Sequence, residues 1–214
     1  MQLQTAPQNL PAREIQVAQE YLDASVSDAT RKAYKTDWAI FSAWCASKGV
    51  ESLPASPDVV ALFLSAQAGE GKATATIGRR LASISSAHKS AGLDSPAGSK
   101  PVQAILRGIR RKHGCAQDQK SPATAEIVRE MARVCPNTIS GKRDKALILL
   151  GFAGAFRRAE LSALCVSDLG FAPEGVRVLV RRSKTDQDGR GQVKAIQNGD
   201  VFCPVRAVRE WLEV

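Results

Sequence analysis

The sequence predicts a mainly α protein: a bundle of four or five short helices, then an α+β segment with a small antiparallel β-hairpin. Three observations carry that prediction. Apolar residues recur at steps of three and four through the first 114 residues. A polar, proline-containing stretch over 115–123 interrupts them. Near residue 176 the apolar period changes to two.

Taken in order, residues 1–12 are polar with two prolines and read as a loose arm. Helices are predicted over 13–24 and 28–48, the second capped by Ser27 or Asp28 and stopped at Gly49. Tyr34, Trp38, Phe41 and Cys45 form one apolar stripe, which reads as core. Ser56-Pro57 opens a third helix through Gln67, because proline suits a first helical turn. A fourth spans 75–90 and a fifth 100–113, ending at Gly92 and Gly114. After the linker at 115–123, Thr124 caps a helix over 125–134, and another runs from Lys142 to Ala155. The run from Phe152 to Leu164 is read as a third helix of this half. Val176, Val178 and Val180 alternate with Arg177, Leu179 and Arg181, a strand pattern. Asp186 to Gly191 is a turn, Val193 to Ile196 the return strand, and Cys203-Pro204 opens a last helix to Val214.

The 214 residues suffice for one large domain or two modest ones. The net charge is +9, shared as +5 before and +4 after residue 120, so neither half is a mere basic tail. A spread excess suits an extended polyanion, although it also serves solubility. Arg79-Arg80, and Arg107 with Arg110-Arg111-Lys112, are denser than solubility requires. The five cysteines are odd in number and far apart, which argues against a disulfide framework and predicts buried free thiols in a reducing cytoplasm. No run is long and apolar enough to span a bilayer, and the first residues lack a signal-peptide pattern, so no membrane partner is expected. There is no His/Cys cluster at metal-ligand spacing and no phosphate-cradling glycine loop. Neither a metal nor a cofactor is expected.

The most informative stretch is Phe152 to Leu164, which sets Arg157, Arg158 and Glu160 in an otherwise apolar run. Charges are seldom buried unless they are paired or bind something. On a helix Arg157 and Glu160 would share a face. Such a pair is either an ordinary ion pair at a core edge or a held guanidinium facing an anion, since arginine matches phosphate oxygens bidentately.

Gly154, Arg157, Glu160, Leu161 and Leu164 resemble the first conserved box of the tyrosine recombinases, the phage-integrase family. Thr30 to Trp38, Phe41 to Cys45, Ile77 to His88 and Leu106 to Arg111 resemble helices of that family's SAM-like core-binding domain. Arg182-Ser183-Lys184-Thr185 resembles its lysine-bearing hairpin, and the match runs from about residue 15 to the end. The resemblance implies a core-binding domain over 13–114 and, over 124–214, the first part of a catalytic domain.

It also implies roles. Arg157 would hold a scissile DNA phosphate, Glu160 would fix the structure around it, and Lys184 would protonate the leaving 5′ oxygen. Arg158 would touch backbone, pair with Asp168, or be the phosphate arginine itself if the register is one off. Arg79, Arg80, Lys89, Arg107, Arg110, Arg111 and Lys112 are candidate phosphate contacts, with Lys35 and Arg79 as candidate base readers. The partners implied are duplex DNA and other recombinase protomers.

The family's His-x-x-Arg box and its nucleophilic tyrosine are not found after the hairpin. His88 and His113 precede Arg157 and lack that pattern, and the tyrosines are Tyr21 and Tyr34. The chain is therefore expected to bind DNA without cleaving it alone, as the N-terminal part of a recombinase. The alternatives are a stand-alone DNA-binding regulator of a complete recombinase and a helical protein-interaction module.

Overall fold

The computed structural model describes residues 11–116, 119–186 and 188–214. The arm expected over 1–12 lies outside the described residues except for its last two. The chain forms two compact units, Met1–Asp118 and Gln119–Val214.

The first unit is helical: α1 (Ala12–Ala24), α2 (Asp28–Ser47), α3 (Pro57–Gly69), α4 (Thr74–Ser90) and α5 (Lys100–His113). Side-chain caps start two of them. Ser27 accepts the Thr30 N–H, and Ser56 accepts the Val59 N–H with Pro57 in the first turn. Phe41, Val60, Phe63, Leu64, Ile77, Ile84 and Val102 are wholly buried at its centre. The Phe41 and Phe63 rings meet edge to face at 5.0 Å between centroids. Of the expected stripe, Phe41 and Cys45 are buried, while Tyr34 and Trp38 are half-buried at its margin.

His88 belongs to this core. Its Nε2 accepts the Ala55 N–H at 2.9 Å, and this places the proton on Nδ1, which faces the Ile84 carbonyl at 2.8 Å. The imidazole thus joins α4 to the start of α3 and is structural.

The second unit holds α6 (Ala125–Arg133), α7 (Ile139–Ala153), α8 (Arg158–Ser162), β1 (Leu169–Ala172), β2 (Gly175–Val180), β3 (Gln192–Gln197) and α9 (Pro204–Leu212). α7 begins three residues before the expected Lys142, because Thr138 accepts the Gly141 N–H and caps it. The sheet is antiparallel in the order β1-β2-β3. β1 is unexpected: four residues with a glycine and no alternation in burial carry no period-two signal.

The register pairs Val176 with Ile196, Val178 with Lys194 and Val180 with Gln192. A side chain at Gly175 would meet the Ile196 carbonyl oxygen at 2.1 Å, so only glycine lets the strands close there. Val176, Val178 and Ile196 pack with Leu149 and Leu150 of α7 and with Val205 and Val208 of α9. The expectation of buried cysteines holds for Cys45 and Cys203 only. Cys115 and Cys165 are exposed and Cys135 is intermediate, since each lies in the connection that follows a helix, outside any buried helix or strand face.

Replacing His88 by Ala leaves a buried N–H unpaired and opens a cavity. The expected cost is about 2–4 kcal/mol, read as a lowered urea midpoint for the first unit's transition.

Candidate functional site

The arginine-bearing segment is a turn between two helices, which corrects the expectation of one helix through Leu164. α7 closes with the paired hydrogen bonds of a Schellman turn: Phe156 N–H to the Gly151 carbonyl at 2.9 Å and Ala155 N–H to Phe152 at 3.1 Å. That turn needs a left-handed residue, and Ala155 supplies it at φ 46°. The conformation costs an L-residue about 1–2 kcal/mol. Phe156 folds back over Gly154, where a Cβ would meet its ring at 2.2 Å. Arg157 is extended (φ −71°, ψ 150°) and stands just before α8.

Capping is the physical cause. The Glu160 carboxylate turns back along α8, its Oε2 accepting the Arg157 N–H at 3.0 Å and its Oε1 accepting Arg157 Nη1 at 2.8 Å. The carboxylate is buried, 4% exposed, whereas the Arg157 side chain is 51% exposed. Lys194 Nζ approaches from β3, 3.7 Å from Glu160 Oε2. It donates to the Gly154 carbonyl at 2.8 Å and lies 4.4 Å from the Phe156 ring centroid. The Glu160 carboxyl is held below the usual carboxylate range. The Arg157 N–H does most of this against the opposing effect of burial, with help from the Arg157 side chain and Lys194.

A second acid repeats the arrangement. Asp168 Oδ2 accepts the Cys165 N–H at 2.9 Å and Oδ1 accepts Arg181 Nε at 2.7 Å. Arg181 directly follows β2, so this pair fixes the root of the β2–β3 connection. Asp168 therefore pairs with Arg181 and not with Arg158, which is exposed as the first residue of α8.

Lys184 is exposed on a short turn built by its neighbours. Ser183 Oγ accepts the N–H groups of Thr185 (3.2 Å) and Asp186 (3.1 Å). Asp186 accepts those of Gly191 (2.8 Å) and Arg190 (3.1 Å), which hold its carboxyl below the usual range. Of the turn expected over Asp186 to Gly191, Gln187 lies outside the described residues.

In the first unit, Val102, Leu106 and Ile109 bury one face of α5. Arg107, Arg110 and Arg111 line a surface cleft of about 450 Å³ with Ala104 and Gly108, and Lys112 is exposed beside them. Lys35 and Lys89 are exposed on α2 and α4. Arg79 is half-exposed, its Nε and Nη2 gripping the buried Asp37 at 2.7 and 3.1 Å. Arg80 is not presented with them: its side chain is 10% exposed and its Nε lies 3.8 Å from Asp37.

The phage integrase N-terminal SAM-like domain family matches residues 19–91. The chain is 42% identical, over 202 residues, to an integrase/recombinase XerD homolog of Selenomonas ruminantium, a match covering 92% of this chain and 59% of that protein. This chain belongs to the tyrosine recombinase family. It is also 26% identical over 229 residues to the recombinase Cre of Escherichia phage P1, covering 99% of this chain and 65% of Cre. It thus spans less than two thirds of the length of either recombinase. The Tn1549 transposon integrase, solved with circular intermediate DNA, aligns at a TM-score of 0.45 and 15% identity over 74% of this chain and 50% of that one. Among the described residues, no helix is long and apolar enough to cross a membrane.

The structure brings Arg157 and Glu160, two of the residues implied by the recombinase resemblance, into direct contact. Lys194, Asp37 and Arg181 were not singled out from the sequence. Period two puts Lys194 on the same strand face as Ile196, and the pairing with Val178 shows that this face turns inward.

Glu160 also sets a pH dependence. Its folded-state pKa lies below the unfolded value near 4.5, so its stabilising contribution is complete above that value and is lost as pH falls through the folded one. Glu160→Gln is expected to lower the second unit's urea midpoint at pH 7 and to flatten the decline of that midpoint between about pH 5 and pH 3.

Proposed function

We propose that this chain binds duplex DNA and supplies the phosphate-holding part of a recombinase site. The observation that carries this reading is Arg157: half-exposed, permanently charged, and held from behind by a buried carboxylate. Among the described residues, its Nε and Nη2 make no hydrogen bond within the protein, so the outer donors are available to a phosphodiester oxygen. Such donors act best where charge accumulates on the non-bridging oxygens during displacement. Lys184, displayed on its organised turn, is the residue proposed to protonate the leaving 5′ oxygen.

The first unit supplies grip. Lys35, Arg79, Lys89, Arg107, Arg110, Arg111 and Lys112 are exposed cations on rigid helices, suited to phosphates and, at Arg79 or Lys35, to base edges. Arg80 is left out of this set because it is buried. The nucleophile is not assigned to this chain's tyrosines, since Tyr21 and Tyr34 lie in α1 and α2 of the first unit. Strand cleavage and assembly with other protomers are proposed for the longer recombinase, in which a tyrosine would attack the phosphate held by Arg157.

Binding of the 214-residue chain to a mixed-sequence duplex is expected to weaken steeply with salt. Arg110→Ala with Arg111→Ala should reduce the log–log slope by about 1.8, at roughly 0.9 per lost phosphate contact. A suicide duplex carrying a nick should give no covalent protein–DNA adduct on a denaturing gel. Binding insensitive to salt would remove the proposed function.

A further inference from the structure

Lys194 is out of place for a strand lysine. It lies opposite Val178, which is wholly buried, and two residues from the buried Ile196, so it shares the apolar face of the sheet. Its side chain is only 21% exposed. A leucine would fill this face without the cost of desolvating an ammonium, so packing alone does not account for the residue.

Its contacts do. The ammonium donates to the Gly154 carbonyl at 2.8 Å and lies 3.4 Å from that of Ala155. It also lies 3.7 Å from Glu160 and over the Phe156 ring. Three of these groups belong to the α7–α8 turn that carries Arg157, and the fourth, Glu160, caps the helix that follows it. One of them, Ala155, is held at a positive φ that alanine disfavours. Nothing else on β3 reaches this turn among the described residues with a hydrogen bond or ion pair. β3 is also the strand into which the Lys184-bearing connection runs.

We propose that Lys194 is a positioning residue: it locks the strained α7–α8 turn onto β3, so that Arg157 is aimed and the hairpin and arginine are set in one fixed geometry. The part concerning DNA rests on the reading that Arg157 meets a nucleic-acid phosphate. The part concerning Arg157 itself does not.

Two measurements on the 214-residue chain separate these parts. The first is the signal of the Arg157 Nη1–H group, the one held by Glu160, in 15N-resolved NMR without DNA. Lys194→Met is expected to broaden or shift it toward the position of a solvated arginine, while Lys194→Arg keeps it near the wild-type position. An unchanged signal in Lys194→Met overturns the proposal.

The second is a double-mutant cycle for binding a mixed-sequence 30-base-pair duplex, followed by fluorescence anisotropy. Lys194→Met and Arg157→Ala should each weaken binding several-fold at fixed salt, only Arg157→Ala lowering the salt slope, by roughly 0.9, and the double variant should be no weaker than Arg157→Ala alone. Multiplying effects overturn the coupling. If Arg157→Ala leaves binding unchanged, the DNA reading falls, and the NMR signal still decides the role of Lys194. Should Lys194→Met fail to fold, the same measurements are made with Ala155→Gly present, because glycine adopts the turn without strain.

Discussion

The second unit is organised around one buried carboxylate. Glu160 sits at the meeting point of α7, α8 and β3, and every group around it has a defined charge or dipole to offer: the Arg157 N–H, the Arg157 guanidinium and the Lys194 ammonium. A buried carboxylate without partners would be prohibitively costly. The partners therefore have little freedom to leave, and their positions are set by the acid. The short α8 begins where it does because Glu160 reaches back to cap it. The turn before it keeps a left-handed alanine because Lys194 and the Schellman bonds close over it.

That dependence explains which parts of the molecule were legible in the sequence. Helices α2 to α5 of the first unit were legible because each buries one face, and a single buried face prints a 3.6-residue period on the chain. The same period held information that was not used. Ile77, Arg80, Leu81, Ile84 and His88 stand on one stripe of α4, all buried, so Arg80 belongs inside and Arg79 outside. Reading the two arginines as a charged pair hid this. The arginine turn was misread for a different reason. Arg157 and Glu160 three residues apart fit a helical ion pair and a capping interaction equally well, and the Ser or Thr that usually announces a cap is absent. Lys194 was illegible in isolation, because only the register against Val178 shows that its strand face is the buried one.

A single device recurs at three displayed arginines. Asp37 backs Arg79, Glu160 backs Arg157, and Asp168 backs Arg181. In each pair the carboxylate is at most 4% exposed while the guanidinium is 51–62% exposed. The acids come from a helix interior, a helix cap and a 3-10 turn, so the likeness is one of physics and not of local fold. The arginines on α5 lack such backing in the contacts seen among the described residues and spread instead along an exposed helix face.

The difference bears on what each class of cation can do. A free surface arginine loses up to about 2 kcal/mol of side-chain entropy when a phosphate fixes it. A guanidinium already held by a buried acid has lost that freedom on folding, and its remaining donors point in a set direction. Counterion release counts charges that reach phosphates and is blind to whether they were ordered beforehand. Ordering shows instead in affinity at fixed salt, and in discrimination between a phosphate or base edge that fits the fork and one that does not. The α5 cations are therefore suited to gripping any duplex, whereas the acid-backed Arg79 and Arg157 are suited to tasks in which the position of an oxygen matters to within a fraction of an ångström.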